Sequence, residues 1–331
     1  MIFYLFQGII GLFLILFSCE LFTNAIEWTG KKFKLNEGIT GSILAAVGTA
    51  LPETMVPIIA IVFIPGKSGE EIGIGAILGA PFMLSTLAFG IIGLATIFYF
   101  FAKKRGLMLD VNDKILSNDI LFFIVVYILA IFISLINVPF KKWFGILFFL
   151  IYALYVYKTF LHERKEEEIE MQPLYFDKRE NPSLNMIIIQ DIISLAGIII
   201  GARIFVSSIE HISLILNFSP FLFSLFVAPI VTELPEKFNS IIWIGKKKDT
   251  LALGNISGAM VFQSSIIVAF GIILTEWTLN QRAILSAALA IISSMIIAMY
   301  MKLFKKLHSF ILLTGIIIYI SYIVIIVKFI K

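Results

Sequence analysis

The chain has 331 residues, of which 60% are hydrophobic and 15% charged, and a formal net charge of +4. Soluble domains run at about 45–50% apolar and about 25% charged residues, so a water-soluble two-domain enzyme is excluded, as is a disordered chain. One cysteine, Cys19, excludes an intrachain disulfide framework and a cysteine zinc site.

A membrane-spanning helix needs roughly 20 apolar residues. Apolar runs in chain order predict ten spans, at 3–28, 38–64, 72–101, 117–138, 142–160, 186–208, 218–245, 250–275, 281–301 and 308–328. Residues 1–17 lack a basic flank and run on into a full span, so a cleavable signal is not expected. With the N-terminus placed outside, the inner loops hold 18 Lys and Arg and the outer segments six, while Arg203 and Lys237 fall inside spans. That asymmetry predicts a multi-pass plasma-membrane protein with both termini outside. The polar stretch 161–185 reads as a solvated cytoplasmic linker between a first five-helix repeat, 1–160, and a second, 186–331.

The two halves share a motif. Gly48-Thr49-Ala50-Leu51-Pro52-Glu53 is matched by Val231-Thr232-Glu233-Leu234-Pro235-Glu236 at an offset of 183. Gly75-Ala76-Ile77-Leu78-Gly79-Ala80 resembles Gly254-Asn255-Ile256-Ser257-Gly258-Ala259 at an offset of 179. An odd number of spans per half makes the second half enter the membrane from the opposite side. The predicted fold class is therefore an all-α integral membrane protein, with ten transmembrane helices in two inverted-topology five-helix repeats.

A carboxylate within a span costs ~2.5–3.5 kcal/mol on insertion scales, which marks Glu53 and Glu236 as functional candidates. Pro52 and Pro235 cannot donate to the carbonyls of Gly48 and Val231. Freed carbonyls survive in a membrane only where protein, water or an ion satisfies them, so Gly48 and Val231, with Ala46, are candidate backbone ligands. Thr49 and Thr232 each precede a glutamate by four residues and share its helix face. Two such half-sites facing each other offer two carboxylates, two threonine oxygens and several carbonyls. Six to eight hard oxygens suit Ca²⁺, and the lack of nearby His or Cys disfavours a soft transition metal.

These motifs resemble the two α-repeats of the cation/calcium exchanger superfamily, in its sodium/calcium exchanger branch. The family pattern is Gly-Thr-Ser-Leu-Pro-Glu followed by Gly-Asn-x-x-Gly-Ser-Asn-x-x-Asn/Asp, and the resemblance covers nearly the whole chain. It implies a central Ca²⁺ site of Glu53, Glu236, Thr49 and Thr232, and antiport by alternating access, with the first and sixth spans sliding on the rest. It also implies flanking Na⁺ sites, and there the sequence departs. The serine after threonine is Ala50 in one half and Glu233 in the other. Ala80 and Ala259 replace later serines, and Leu84 and Gln263 replace an amide and an acid. Asn255 keeps the family amide, whereas its counterpart is Ala76. Glu233, Asn255 and Gln263 complete the candidate cation-binding set.

Two readings of Glu233 stand. As a third carboxylate it exchanges protons, making H⁺ the counter-ion; or it pairs with Lys237, one turn on. The expected function is exchange of Ca²⁺ for Na⁺ or H⁺, with no cofactor, no nucleic acid and no obligate protein partner beyond the lipid bilayer. The alternative is a degenerate exchanger fold acting as a cation channel or carrying Mn²⁺ or Mg²⁺. Intramembrane acid–base catalysis by the paired carboxylates lacks any accompanying His–Ser or Gly-x-Gly-Asp arrangement, so an enzyme is not expected.

Among other polar residues, Glu20 and Arg203 occupy equivalent positions and are expected at the interface or as a salt bridge. Asn24, Glu27, Glu210 and His211 are expected to be solvated at span ends, and Asp191 is interfacial or supports the site. Trp28, Trp143, Trp243 and Trp277 suit an aromatic belt. Gly38, Gly41, Gly75 and Gly79 suit close helix packing.

Overall fold

A computed structural model describes residues 1–33, 50–162 and 172–329, without the side chains of 160–162, 234–236, 327 and 329. Ala46, Gly48 and Thr49, with the rest of 34–49, lie outside the described residues, as do residues 163–171 of the linker.

The described chain is nearly all helical. In order it forms α1 (Ile2–Lys32), α2 (Leu51–Phe63), α3 (Lys67–Met83), a π-helical turn (Leu84–Ala88), α4 (Phe89–Phe101), α5 (Asp113–Leu135), α6 (Trp143–His162) and α7 (Leu184–Ile215). Then follow α8 (Pro220–Gly245), α9 (Asp249–Phe262), a second π turn (Gln263–Ile267), α10 (Val268–Leu274), α11 (Gln281–Phe304) and α12 (Ser309–Phe329). Two short strands, β1 (Met108–Leu109) and β2 (Leu307–His308), pair antiparallel.

Among the described residues, seven helical segments are long and apolar enough to cross a membrane. These are α1, α3 through α4, α5, α7, α9 through α10, α11 and α12. Three shorter apolar helices, within Leu51–Phe63, Trp143–Thr159 and Pro220–Glu233, fall where the remaining spans are predicted. Large side chains such as Phe3 (71% exposed) and Phe13 (70%) stand open on α1, an arrangement suited to lipid rather than water. Where helices begin in polar sequence, local chemistry fixes the start. Asn112 accepts from the amides of Lys114 and Ile115, and Asn280 accepts from that of Ala283.

The chain divides into two compact units, each drawing one stretch from each half of the sequence. The first is Met1–Gly73 with Tyr155–Phe223, and the second is Ile74–Leu154 with Ser224–Lys331.

In the first unit, α1 and α7 run antiparallel at close range. The Tyr4 ring stacks on His211 with centroids 4.4 Å apart, Gly8 meets Ser208, Gly11 meets Gly201 and Phe205, and Gly197 meets Ser18. A Cβ on Gly11 would lie 2.7 Å from the Phe205 amide nitrogen, so only glycine permits this approach. The end of the linker then locks both helices. Trp28 Nε1 donates to the Gln172 carbonyl at 3.0 Å, and Gln190 Nε2 donates to Leu21 O at 2.9 Å and Asn24 Oδ1 at 3.0 Å. The Phe176 amide donates to Gln190 Oε1 at 3.0 Å. Asn24 and Trp28 are therefore not solvated or belt residues; both are buried because the linker supplies their partners.

Glu20 and Arg203 are engaged separately. Tyr175 Oη donates to Glu20 at 3.0 Å, and the Arg203 guanidinium lies 3.7 Å from the Phe63 ring centroid.

In the second unit, Arg105 grips Asp249 with two hydrogen bonds of 2.6 and 2.7 Å and donates to the Ile244 carbonyl at 2.8 Å. Trp277 is fully buried, its Nε1 donating to Ala130 O at 3.0 Å, which corrects its expected place in an aromatic belt. Trp143, 70% exposed, fits that expectation. Gly79 packs so tightly on α8 that a Cβ would sit 2.2 Å from Leu225 O. Pro229, four residues after Leu225, cannot donate to that carbonyl, so the oxygen is free for the glycine to abut.

Candidate cation-binding groups

In the first unit, Leu51 and Pro52 open α2, and Glu53 sits in its first turn, buried although charged. Proline at the start of a helix loses no helical bond, which explains why the helix begins where the motif does. Pro57, inside α2, removes the donor that would satisfy the Glu53 carbonyl. Glu53 thus places a side-chain carboxylate in the first turn of α2, with proline at the position that would bond its carbonyl. Its sequence partner Thr49 lies outside the described residues.

In the second unit, the motif lies in the middle of α8. Thr232 is buried and donates to Ala228 O at 3.1 Å, which orients the hydroxyl and leaves its lone pairs able to accept or coordinate. Pro235 leaves Val231 O without its helical donor. The Glu236 side chain lies outside the description.

Glu233 and Lys237 form an ion pair at 2.9 Å, with side chains 0% and 8% exposed. Gln263 donates from Nε2 to Glu233 Oε1. Lys237 also lines an apolar cavity of about 200 Å³ with Met83, Leu87, Ile91 and Phe238. Asn255 donates to Ser240 Oγ at 3.2 Å. Among the described residues, no three His, Cys, Asp or Glu side chains cluster as a metal site.

The two π turns were not anticipated from the sequence. They begin at Leu84 and Gln263, at the same offset of 179 that relates the glycine motifs. Each is covered in the same way. Thr86 and Ser85 both donate to Phe82 O, Ser85 at 3.2 Å; Ser264 and Ser265 donate to Val261 O at 3.2 and 2.6 Å. A π turn displaces a carbonyl from the helical ladder, and such turns occur often at functional sites. The hydroxyl pairs Ser85-Thr86 and Ser264-Ser265, repeated at that offset within apolar runs, were the available signal.

Asp119 was also missed. It is buried on α5 and accepts from Ser257, inside the second glycine motif.

The sequence profile of the sodium/calcium exchanger protein family matches residues 3–161 and 187–331. The chain belongs to this family of membrane exchangers. An uncharacterized membrane protein of Methanocaldococcus jannaschii, MJ0091, is 25% identical over 272 residues, covering 80% of this chain and 79% of that protein. The crystal structure of the H⁺/Ca²⁺ exchanger CAX superposes with a TM-score of 0.74 at 16% identity, covering 98% of this chain and 82% of that one. The sodium-calcium exchanger NCX_Mj, in crystals soaked with Na⁺ and Sr²⁺, superposes at 0.57 with 22% identity, covering 99% and 98%. At these identities the structures establish a shared fold.

Proposed function

We propose that the protein is a secondary antiporter that moves Ca²⁺ across the plasma membrane in exchange for Na⁺ or H⁺ by alternating access. The observation that carries this reading is the repeated Thr-x-Leu-Pro-Glu motif, two intramembrane carboxylates at an offset of 183 in a chain of the exchanger family. Glu53 and Glu236 are the principal Ca²⁺ ligands, neutralising the divalent charge. Thr49 and Thr232 add hydroxyl oxygens, and the carbonyls of Gly48, Val231 and Ala46 complete a hard-oxygen shell. Asn255 supplies a further oxygen in the second half. Glu233 and Gln263 belong to a cation-holding group of their own, since a positive charge already lies against them.

In the same reading the ten apolar segments are ten spans in two inverted repeats, 1–160 and 186–331, with both termini outside and the linker 161–185 cytoplasmic. The basic-residue asymmetry supports the orientation. The antiparallel run of α1 against α7 supports the inversion, because these two helices are equivalents in the repeat.

Purified protein in liposomes loaded with Na⁺, and separately with an acid interior, tests the exchange. Ca²⁺ uptake driven by one of these gradients and absent without it is expected. Ca²⁺ running down its own gradient, indifferent to both, identifies a channel instead.

A further inference from the structure

The two halves differ at three positions that the structure brings together in the second half. Glu233, Lys237 and Gln263 correspond, at offsets of 183, 183 and 179, to Ala50, Thr54 and Leu84. The first half thus lacks the acid, the base and the amide at once, while the second half has all three in contact. Three matched changes that meet in space behave as one unit.

The unit is deeply buried. Glu233 and Gln263 are inaccessible, the Lys237 ammonium lies 2.9 Å from Glu233 Oε2, and Gln263 Nε2 occupies Oε1. Gln263 Oε1 is buried without a hydrogen-bond partner among the described residues, in the π turn where helix geometry is already interrupted. The Gln263 amide fixes one carboxylate oxygen of Glu233 and leaves the other to a small monovalent cation. Burying a carboxylate costs least with a positive charge or hydrogen-bond donors beside it. Here that charge is on a side chain, one helical turn away on α8.

We propose that Glu233, oriented by the Gln263 amide, is a monovalent-cation site that is permanently filled by the ammonium of Lys237. The chain carries its own cation where a mobile Na⁺ would otherwise bind. The tether makes this charge non-exchangeable, so the second half contributes no Na⁺ of its own to transport. Its consequence for transport rests on the exchanger reading above; the occupancy of the site by a cation does not.

The test is the thermal unfolding of detergent-purified protein in NaCl against choline chloride at equal ionic strength. In Lys237→Met the vacated site takes up Na⁺, and the melting temperature rises in NaCl by several degrees. Wild type and the Glu233→Gln/Lys237→Met double variant, which has no carboxylate at position 233 to fill, rise in NaCl by several degrees less than Lys237→Met, any rise they share coming from Na⁺ elsewhere in the protein. A Lys237→Met protein indifferent to Na⁺ overturns the proposal, as does a wild type that shifts as much as the variant. Should Lys237→Met be recoverable in neither salt, Lys237→Gln is measured in the same way. Failure of both in NaCl, with the double variant well folded, also overturns the proposal. Ca²⁺-induced stabilisation of wild type, lost in Glu53→Gln, is read in parallel. It tests the exchanger reading alone, so the two failures are distinguishable.

Discussion

Arg105 and Asp249 close on each other through two hydrogen bonds, 2.6 and 2.7 Å long, with both side chains 3% exposed. The pair ties the turn after α4 to the start of α9, and the Asp110 amide adds a bond of 2.8 Å to the same carboxylate. Asp249 also lies in the first turn of its helix, where a negative charge meets the positive end of the helix dipole. Removing one partner strands a buried charge, so Arg105→Met or Asp249→Leu alone is expected to cost roughly 3–5 kcal/mol. The Arg105→Met/Asp249→Leu pair is expected to cost less than either single change. Thermal unfolding of the four proteins as a double-mutant cycle measures this.

The repeat predicts opposite tolerance at equivalent glycines. A Cβ on Gly79 would meet Leu225 O at 2.2 Å, whereas a Cβ on Gly258 would have nothing within 4 Å among the described residues. Gly79→Ala is expected to lose about 1–3 kcal/mol through forced separation of α3 from α8. Gly258→Ala is expected to melt within a degree or two of wild type, since alanine also favours the helix. Equal losses at both positions would show that the close approach is not what the first glycine serves.

The linker carries a pH-dependent element. Asp177 accepts from Arg179 Nε and Nη2 at 2.7 and 2.6 Å and from the Ser183 amide at 3.1 Å, ahead of the start of α7. The Arg179 hydrogen bonds, chiefly, hold its carboxyl well below the usual carboxylate range. A depressed folded value means that this contribution is complete above the unfolded value, about 4. It is lost as pH falls from there through the folded value. Hydrogen exchange of residues 172–183 reads it. Wild type is expected to lose protection only on strong acidification, whereas Asp177→Asn lacks it already at pH 7. Identical protection in both proteins at pH 7 contradicts this role.

Much of the architecture was legible because its signals are local. Apolar runs marked the helices, and Leu-Pro-Glu at a constant offset marked the repeat. The Glu233–Lys237 pairing was one of two open readings of Glu233, because residues four apart on one helix share a face. What stayed hidden depends on distant partners. Gln263 reaches Glu233 only through the packing of two helices 30 positions apart in sequence. Trp277 and Asn24 look like interfacial residues until a carbonyl on α5 and the linker backbone reach them. The π turns left a trace in their hydroxyl pairs, but hydroxyls in apolar helices serve many ends, and only geometry distinguishes this one.

The central claim is that Glu53 and Glu236 carry the divalent cation. Its most direct measurement is radiolabelled Ca²⁺ uptake into liposomes holding wild type, Glu53→Gln or Glu236→Gln, each driven by whichever monovalent gradient energises wild type. Glutamine keeps the shape and removes the charge, and losing one charged ligand of a buried cation is worth about a hundredfold or more in affinity. Uptake falling to the level of empty liposomes in both variants is the result expected. Wild-type uptake in both would contradict the account.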